Sequence, residues 1–171
     1  RTLVWLVLLS VAACATTDSS TLDRKGSPRE AAGYNAQLGI EYMKQGNLNG
    51  ARDKIDRALK QDPQNMNVQV AAGLLYQKLG ENAKADGHFA AALKIKPNDP
   101  EVLNMYGVFL CGQKRVQEAE KLFLKAAGNP LYRTPEVAYN NAGICLRDAG
   151  KTAEAQAYFE KSRTVRQVRD A

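Results

Sequence analysis

The chain repeats itself with a period of 34 residues, and this period constrains its fold more than any other feature. Each period contains a glycine, at Gly39, Gly73, Gly107 and Gly143. An alanine follows each glycine, at Ala51, Ala85, Ala119 and Ala155. A large apolar residue follows each alanine, at Ile55, Phe89, Phe123 and Phe159. The glycine spacing is 34 residues for two steps and 36 for the third. Such periods are typical of stacked helical units that bury a continuous core between neighbours.

Each period predicts two helices, A and B. The small glycine and alanine positions let helix A approach helix B closely, and the large apolar position is expected to pack into the next unit. Helix A is expected to end at a residue with left-handed backbone geometry. Glycine fills that place in three units, at Gly46, Gly80 and Gly150, and lysine fills it in the remaining unit, at Lys114.

Two segments carry the pattern Leu-Gly-x-x-Tyr or a close variant, from Leu38 to Tyr42 and from Ala72 to Tyr76. Followed by alanine, phenylalanine and proline, this 34-residue pattern resembles the tetratricopeptide repeat (TPR). The resemblance covers residues 32–169 and implies an all-α fold, a right-handed superhelical solenoid of antiparallel helix pairs. Four units are predicted, at about 32–65, 66–99, 100–135 and 136–169. Further repeats are expected beyond Ala171.

The junction between the third and fourth units differs from the others. It is two residues longer, and residues 128–135 include two prolines, Pro130 and Pro135. We expect this insert to reorient the fourth unit.

The N-terminus carries a short apolar run, residues 3–11, that leads into Ala12, Ala13 and Cys14. The run is too short to span a bilayer and resembles a bacterial lipoprotein signal, which implies cleavage before Cys14 and a lipid on its thiol. Residues 1–13 are therefore predicted to be a signal peptide truncated at its start, and residues 14–30 a lipidated cysteine and flexible tether. In the Gram-negative lipoproteins that this signal resembles, aspartate directly after the lipidated cysteine retains the protein in the inner membrane. Ala15 stands at that position, so the resemblance implies a location on the periplasmic face of the outer membrane. An ordinary cleavable signal or a buried helix is the alternative.

The remaining composition predicts no enzyme, no cofactor and no metal site. The net charge is +6, but basic and acidic residues are interleaved, so neither nucleic acid nor a small-molecule substrate is predicted as a partner. The only histidine, His88, is interpreted as a polar-face residue of helix B in the second unit. Basic residues gather near the end of the chain, at Lys161, Arg163, Arg166 and Arg169. We interpret them as a solvated helix face, with a lipid or nucleic-acid patch as the alternative.

Cys111 and Cys145 occupy positions 12 and 10 of helix A in units three and four. Two positions on a helix are about 200° apart, so these side chains point in opposite senses and can face each other from adjacent A helices. A disulfide between the two units is therefore predicted for an exported protein. Two buried thiols that never come within bridging distance are the alternative.

TPR folds line a concave groove with positions 2, 5, 9, 12 and 13 of helix A, and the resemblance implies a partner-binding role for these positions. The predicted groove residues are Ala36, Ile40, Met43, Val70, Leu74, Gln77, Asn104, Val108, Asn140 and Ile144. The lysine and asparagine that hold a carboxylate in chaperone-binding TPR modules are replaced by Ala36 and Ile40. An apolar groove is typical of sites for an amphipathic helix or extended peptide. The alternative is that half of these residues only pack neighbouring helices.

A closer resemblance lies in residues 34–47 (YNAQLGIEYMKQGN) and 104–111 (NMYGVFLC), combined with the signal and short tether. These features resemble the PilF/PilW family of type IV pilus biogenesis lipoproteins, or pilotins. The resemblance implies a partner, the secretin subunit of the type IV pilus, whose outer-membrane localisation and multimerisation the protein promotes. It places the contact in the early repeats, at Ile40, Met43, Val70 and Leu74. A TPR adaptor of another cell-envelope assembly complex is the alternative.

Overall fold

The computed structural model describes residues 27–170, and every regular element within this range is an α-helix. The helices, α1 to α8, span Pro28–Lys44, Leu48–Gln61, Met66–Lys78, Asn82–Ile95, Pro100–Gly112, Val116–Ala127, Pro135–Asp148 and Thr152–Asp170. Consecutive helices pair as A and B helices of four units, from α1 and α2 in unit one to α7 and α8 in unit four. The predicted signal peptide, Cys14 and most of the predicted tether lie outside the described residues. None of the helices in residues 27–170 is long and apolar enough to cross a membrane.

The first helix begins inside the segment that the sequence analysis assigned to the tether. That prediction extended to residue 30, whereas α1 starts at Pro28. The backbone N–H of Glu30 donates to the Ser27 hydroxyl over 3.2 Å, and the Ser27 N–H donates to the Glu30 carboxylate over 2.8 Å. Proline fits the first helical position because its missing N–H has no partner there. This reciprocal cap stabilises a helix start that composition alone did not indicate.

The repeated glycines allow the two helices of a unit to touch. A Cβ atom placed on Gly107 would lie 2.6 Å from Cε1 of Phe123, on helix B of the same unit. The same distance separates a Cβ on Gly143 from Cε1 of Phe159. The large apolar residue of each unit therefore packs on the glycine of its own unit, which the sequence analysis did not predict. Its predicted contact with the following unit exists as well, since the Phe89 ring lies 5.4 Å from that of Phe109.

Two residues after the end of each A helix lies the residue with left-handed geometry that the sequence predicted. The three glycines at this position have positive φ angles, at Gly46, Gly80 and Gly150. Lys114 takes the same conformation with φ of 63°, and no other non-glycine residue in the range 27–170 has a positive φ. The turn geometry is therefore set by the fold, and unit three accepts the steric cost of a side chain there.

The longer third junction is tied to the neighbouring units. The Asn129 side chain donates to the carbonyl oxygen of Asn98 over 2.7 Å and accepts from the N–H of Leu131 over 2.9 Å. Tyr132 is buried in the core that continues through units two, three and four. The insert thus packs as part of the solenoid.

Candidate partner-binding groove

Four of the ten predicted groove residues lie in the packing between A helices. Ala36, Met43, Val70 and Asn104 are buried. Val70 packs in a cluster with Ala92 and Val102, and Asn104 accepts a hydrogen bond of 3.0 Å from the side-chain amide of Asn141. These four side chains therefore offer little surface to a partner, although Met43 also lines the pocket described below, and their contact with a partner stays a prediction. At position 5 of units one to three and position 12 of unit one, the side chain fills the seam between adjacent A helices.

The other six predicted residues keep solvent-accessible surface. Position 9 forms a row of apolar side chains, one from each A helix, at Ile40, Leu74, Val108 and Ile144. Val108 is the most open of them, with 45% of its surface exposed. Gln77 is exposed and Asn140 is half-buried. A row of this kind matches a partner segment that runs along the solenoid and places apolar side chains at regular intervals.

The first two units form a distinct pocket of about 530 Å³ on this row, referred to below as the first pocket. Its lining comprises Ile40, Met43, Lys44, Leu74, Gln77 and Lys78. Ile40, Met43 and Leu74 supply the apolar side chains of the pocket, and its rim carries the ammonium groups of Lys44 and Lys78. The volume falls within the range of about 300 to 1,000 Å³ that is typical of small ligand pockets.

An apolar extension of this surface lies on α1 and was not among the predicted groove residues. Tyr34 is 79% exposed and Leu38 is 41% exposed. Both residues line a cavity that also includes Ile40 and Gln37. The five fixed TPR positions omit Tyr34 and Leu38, but their spacing of four residues puts them on one helical face. An aromatic residue four positions before a leucine was the available signal.

The A helices at the far end of the groove, α5 and α7, are crosslinked. A disulfide joins Cys111 of α5 to Cys145 of α7, with the two Cα atoms 5.7 Å apart. Cys145 is buried, whereas Cys111 is half-buried. Beside them, the guanidinium group of Arg147 pairs with Asp148 at 3.0 Å. The adjacent A helices of units three and four are thus held at a fixed separation.

One network of titratable side chains outside the groove joins units two and three. Asp86 accepts hydrogen bonds from the Tyr106 hydroxyl at 2.8 Å and from the Arg115 guanidinium at 2.7 Å. Burial, followed by the hydrogen bond to Asp86, raises the pKa of Tyr106 to about 12. No group of three or more histidine, cysteine, aspartate or glutamate residues within residues 27–170 could hold a metal ion.

Comparison with known protein families identifies the same helical repeat that the structure shows. Residues 42–105 and residues 137–163 both match the tetratricopeptide repeat family. The chain belongs to the tetratricopeptide repeat family. Its fold is the TPR solenoid of antiparallel helix pairs that the sequence predicted.

Among relatives, the chain is 33% identical over 161 residues to the type IV pilus assembly protein PilF of Pseudomonas aeruginosa. This similarity covers 94% of the chain and 64% of PilF. An uncharacterised protein of Haemophilus influenzae is 28% identical over 153 residues, covering 90% of the chain and 83% of that protein. The chain thus spans less than two thirds of the length of PilF.

Two solved structures of type IV pilus proteins are similar to the chain in both fold and sequence. The Pseudomonas aeruginosa PilF structure superposes with a TM-score of 0.73 at 34% identity, covering 80% of the chain and 62% of PilF. PilW, a widely conserved type IV pilus biogenesis factor, gives a TM-score of 0.73 at 38% identity, covering 79% of the chain and 62% of PilW. The chain is homologous to these type IV pilus biogenesis proteins.

Proposed function

We propose that the chain is a pilotin, an outer-membrane lipoprotein that binds the secretin subunit of the type IV pilus and promotes its localisation and multimerisation. The observation that carries this proposal is the homology to PilF and PilW over most of the chain, at 33% to 38% identity. The TPR fold supports it, because TPR proteins mediate protein–protein interactions. No catalytic step is part of the proposed mechanism.

The groove supplies the binding site in this proposal. Ile40 and Leu74 are half-buried, so their exposed portions can be covered by a partner without any change in the helix packing. Burial of apolar surface would drive the association, at about 25 cal/mol per Å² of surface removed from water. While an unassembled secretin subunit is bound in the groove, the apolar surface that it buries there stays shielded from water until it meets other subunits.

The N-terminal segment supplies the location. We propose that residues 1–13 are a signal peptide, that Cys14 carries lipid, and that the following residues tether the solenoid to the periplasmic face of the outer membrane. Several acyl chains form a stable anchor, whereas one alone is marginal. Attachment to the same membrane raises the effective concentration of captured subunits and favours ring formation.

A deletion strain tests the proposal. Membranes are fractionated and blotted for heat-resistant secretin multimers after complementation with the wild-type gene, Cys14→Ala or Leu74→Asp. We expect wild type to restore multimers in the outer membrane and both variants to fail. Leu131→Asp is the matched control, because Leu131 lies outside the groove and is 84% exposed. Each variant is also blotted for its own abundance, so that loss of the lipoprotein is distinguished from loss of binding.

Unchanged outer-membrane multimers in the deletion strain would contradict the pilotin role and direct attention to another envelope complex. Normal multimers with Leu74→Asp would remove the first two units from the contact. Normal multimers with Cys14→Ala would show that the lipid is dispensable.

A further inference from the structure

The rim of the first pocket carries two cationic groups with little to neutralise them. Lys78 makes no ion pair and no side-chain hydrogen bond with any residue of the range 27–170. Lys44 is 3.4 Å from Glu41, but both side chains are more than half exposed, so solvent screens this pair. No carboxylate is among the residues that line the pocket.

Several other basic side chains in the described range are already committed to acidic partners. Arg52 and Lys84 both pair with Glu81, at 2.8 Å and 2.5 Å. Arg115 pairs with Asp86 at 2.7 Å and with Glu118 at 2.8 Å. The lysines of the first pocket therefore differ from these, since their charges remain available to a ligand.

The floor of the same pocket is apolar and adaptable. Ile40 and Leu74 contribute aliphatic surface, and Met43 lies beneath them with its thioether buried. Methionine can adjust its side chain to ligands of different shape. An apolar anchor side chain is therefore accommodated at the floor, while neighbouring groups of the same ligand meet the ammonium groups.

We infer that the occupant of the first pocket is a segment of a partner protein in which an aliphatic or aromatic residue stands next to aspartate or glutamate. Charge complementarity selects this chemistry, because a basic or purely apolar segment would leave Lys78 without a counter-charge and Lys44 with only its solvent-screened pair to Glu41. The inference rests on the proposed function, which makes the secretin subunit the partner, and it specifies the chemistry of the segment that binds.

The test measures binding of the purified secretin subunit to the mature chain by surface plasmon resonance at two salt concentrations. The double variant Lys44→Glu/Lys78→Glu is compared with Lys60→Glu/Lys94→Glu. The control makes the same change in net charge, and its lysines lie in the last turns of α2 and α4, outside the pocket. Ile40→Asp reports on the pocket floor.

We expect Lys44→Glu/Lys78→Glu to weaken binding about tenfold, mainly through a slower association rate, and to abolish its salt dependence. The control should bind like the wild type. Overlapping secretin peptides should then identify a segment with an apolar residue beside a carboxylate. Replacing that carboxylate by lysine should restore binding to Lys44→Glu/Lys78→Glu.

Three results would overturn the inference in distinguishable ways. Equal losses in the two double variants would assign the effect to net charge. Wild-type binding by Lys44→Glu/Lys78→Glu, with loss in Ile40→Asp, would refute the acidic occupant and leave the groove proposal standing. No binding of secretin by the wild-type chain would refute the proposed function itself.

Discussion

At the scale of single residues, His88 is a packing residue whose environment opposes its charge. It is the only histidine of the chain. Its Nδ1–H donates to Oε1 of Gln69 over 2.7 Å, and its ring stacks on Tyr76 with 5.3 Å between centroids. Burial lowers the pKa of His88 below its usual value of 6.5, an effect that Asp56 opposes and Lys84 reinforces. The side chain is therefore best accommodated in its neutral form.

This environment predicts a loss of stability on mild acidification. With a lowered pKa in the folded state, His88 binds fewer protons there than in the unfolded chain, so stability falls as the pH drops below about 6.5. The pKa values of Glu81 and Glu118 are lowered from 4.5, so protonation of those carboxylates changes the stability only at lower pH. Urea denaturation at pH 7.0 and pH 5.5 should show a decrease in the free energy of unfolding that is smaller in His88→Gln. Equal decreases in both proteins would contradict this account.

At the scale of helices, close approach through glycine gives a second prediction. Alanine at Gly107 would crowd the buried Phe123 ring, which lies within the continuous core and has no space to retreat. Overpacking of this kind costs about 1 to 3 kcal/mol. Alanine at Gly143 meets Phe159 at the same distance, but that ring is only half-buried and can shift toward solvent. We expect Gly107→Ala to lower the free energy of unfolding by more than Gly143→Ala does.

Gly87 provides the matched control. It lies within α4, and a Cβ atom there would have no neighbour within 4 Å. Gly87→Ala should stabilise the chain by about 0.5 to 1 kcal/mol, because alanine loses less conformational freedom than glycine in a helix. The three variants are compared by chemical denaturation. Equal stability of Gly107→Ala and Gly143→Ala would show that burial of the aromatic ring does not decide the cost.

The helices were predictable from sequence because their signals are local. Period, glycine spacing and left-handed turn residues identified the helix pairs, and even Lys114 takes the expected geometry. The groove was less predictable. The position of a residue in the TPR pattern indicates that its side chain lies on the face of the solenoid formed by the A helices. The separation of neighbouring A helices then decides whether that side chain is buried, like Val70, or exposed, like Val108. The exposed Tyr34 was missed because no fixed position of the pattern contains it.

At the scale of the whole molecule, each unit is held by contacts with its neighbours. Between units one and two, Arg52 pairs with Glu81. Between units three and four, the Tyr158 hydroxyl donates to Glu120 over 2.7 Å. Stability in such a solenoid is approximately a sum over units and the interfaces between neighbours. A change at one interface is therefore expected to act most strongly on the units beside it.

The disulfide provides the test of this modular behaviour. Cys111 and Cys145 are 34 residues apart, and a crosslink over a loop of that size contributes about 2 to 4 kcal/mol, mainly by restricting the unfolded chain. Cys111→Ala/Cys145→Ala should lower the free energy of unfolding by this amount. Dithiothreitol should do the same to the wild type and nothing to the variant, which separates loss of the crosslink from loss of sulfur packing.

Hydrogen exchange followed by mass spectrometry then locates the effect. Because α7 is joined to α5 by the crosslink and α8 packs on α7, amide protection should fall most in these last two helices. Helices α1 and α2 form unit one, which is separated by two interfaces from the interface between units three and four. Their amides should therefore stay protected from exchange under conditions that favour local opening. A uniform decrease from α1 to α8 would mean that the described solenoid unfolds as one cooperative block, in which case substitutions in unit four would also weaken the first pocket.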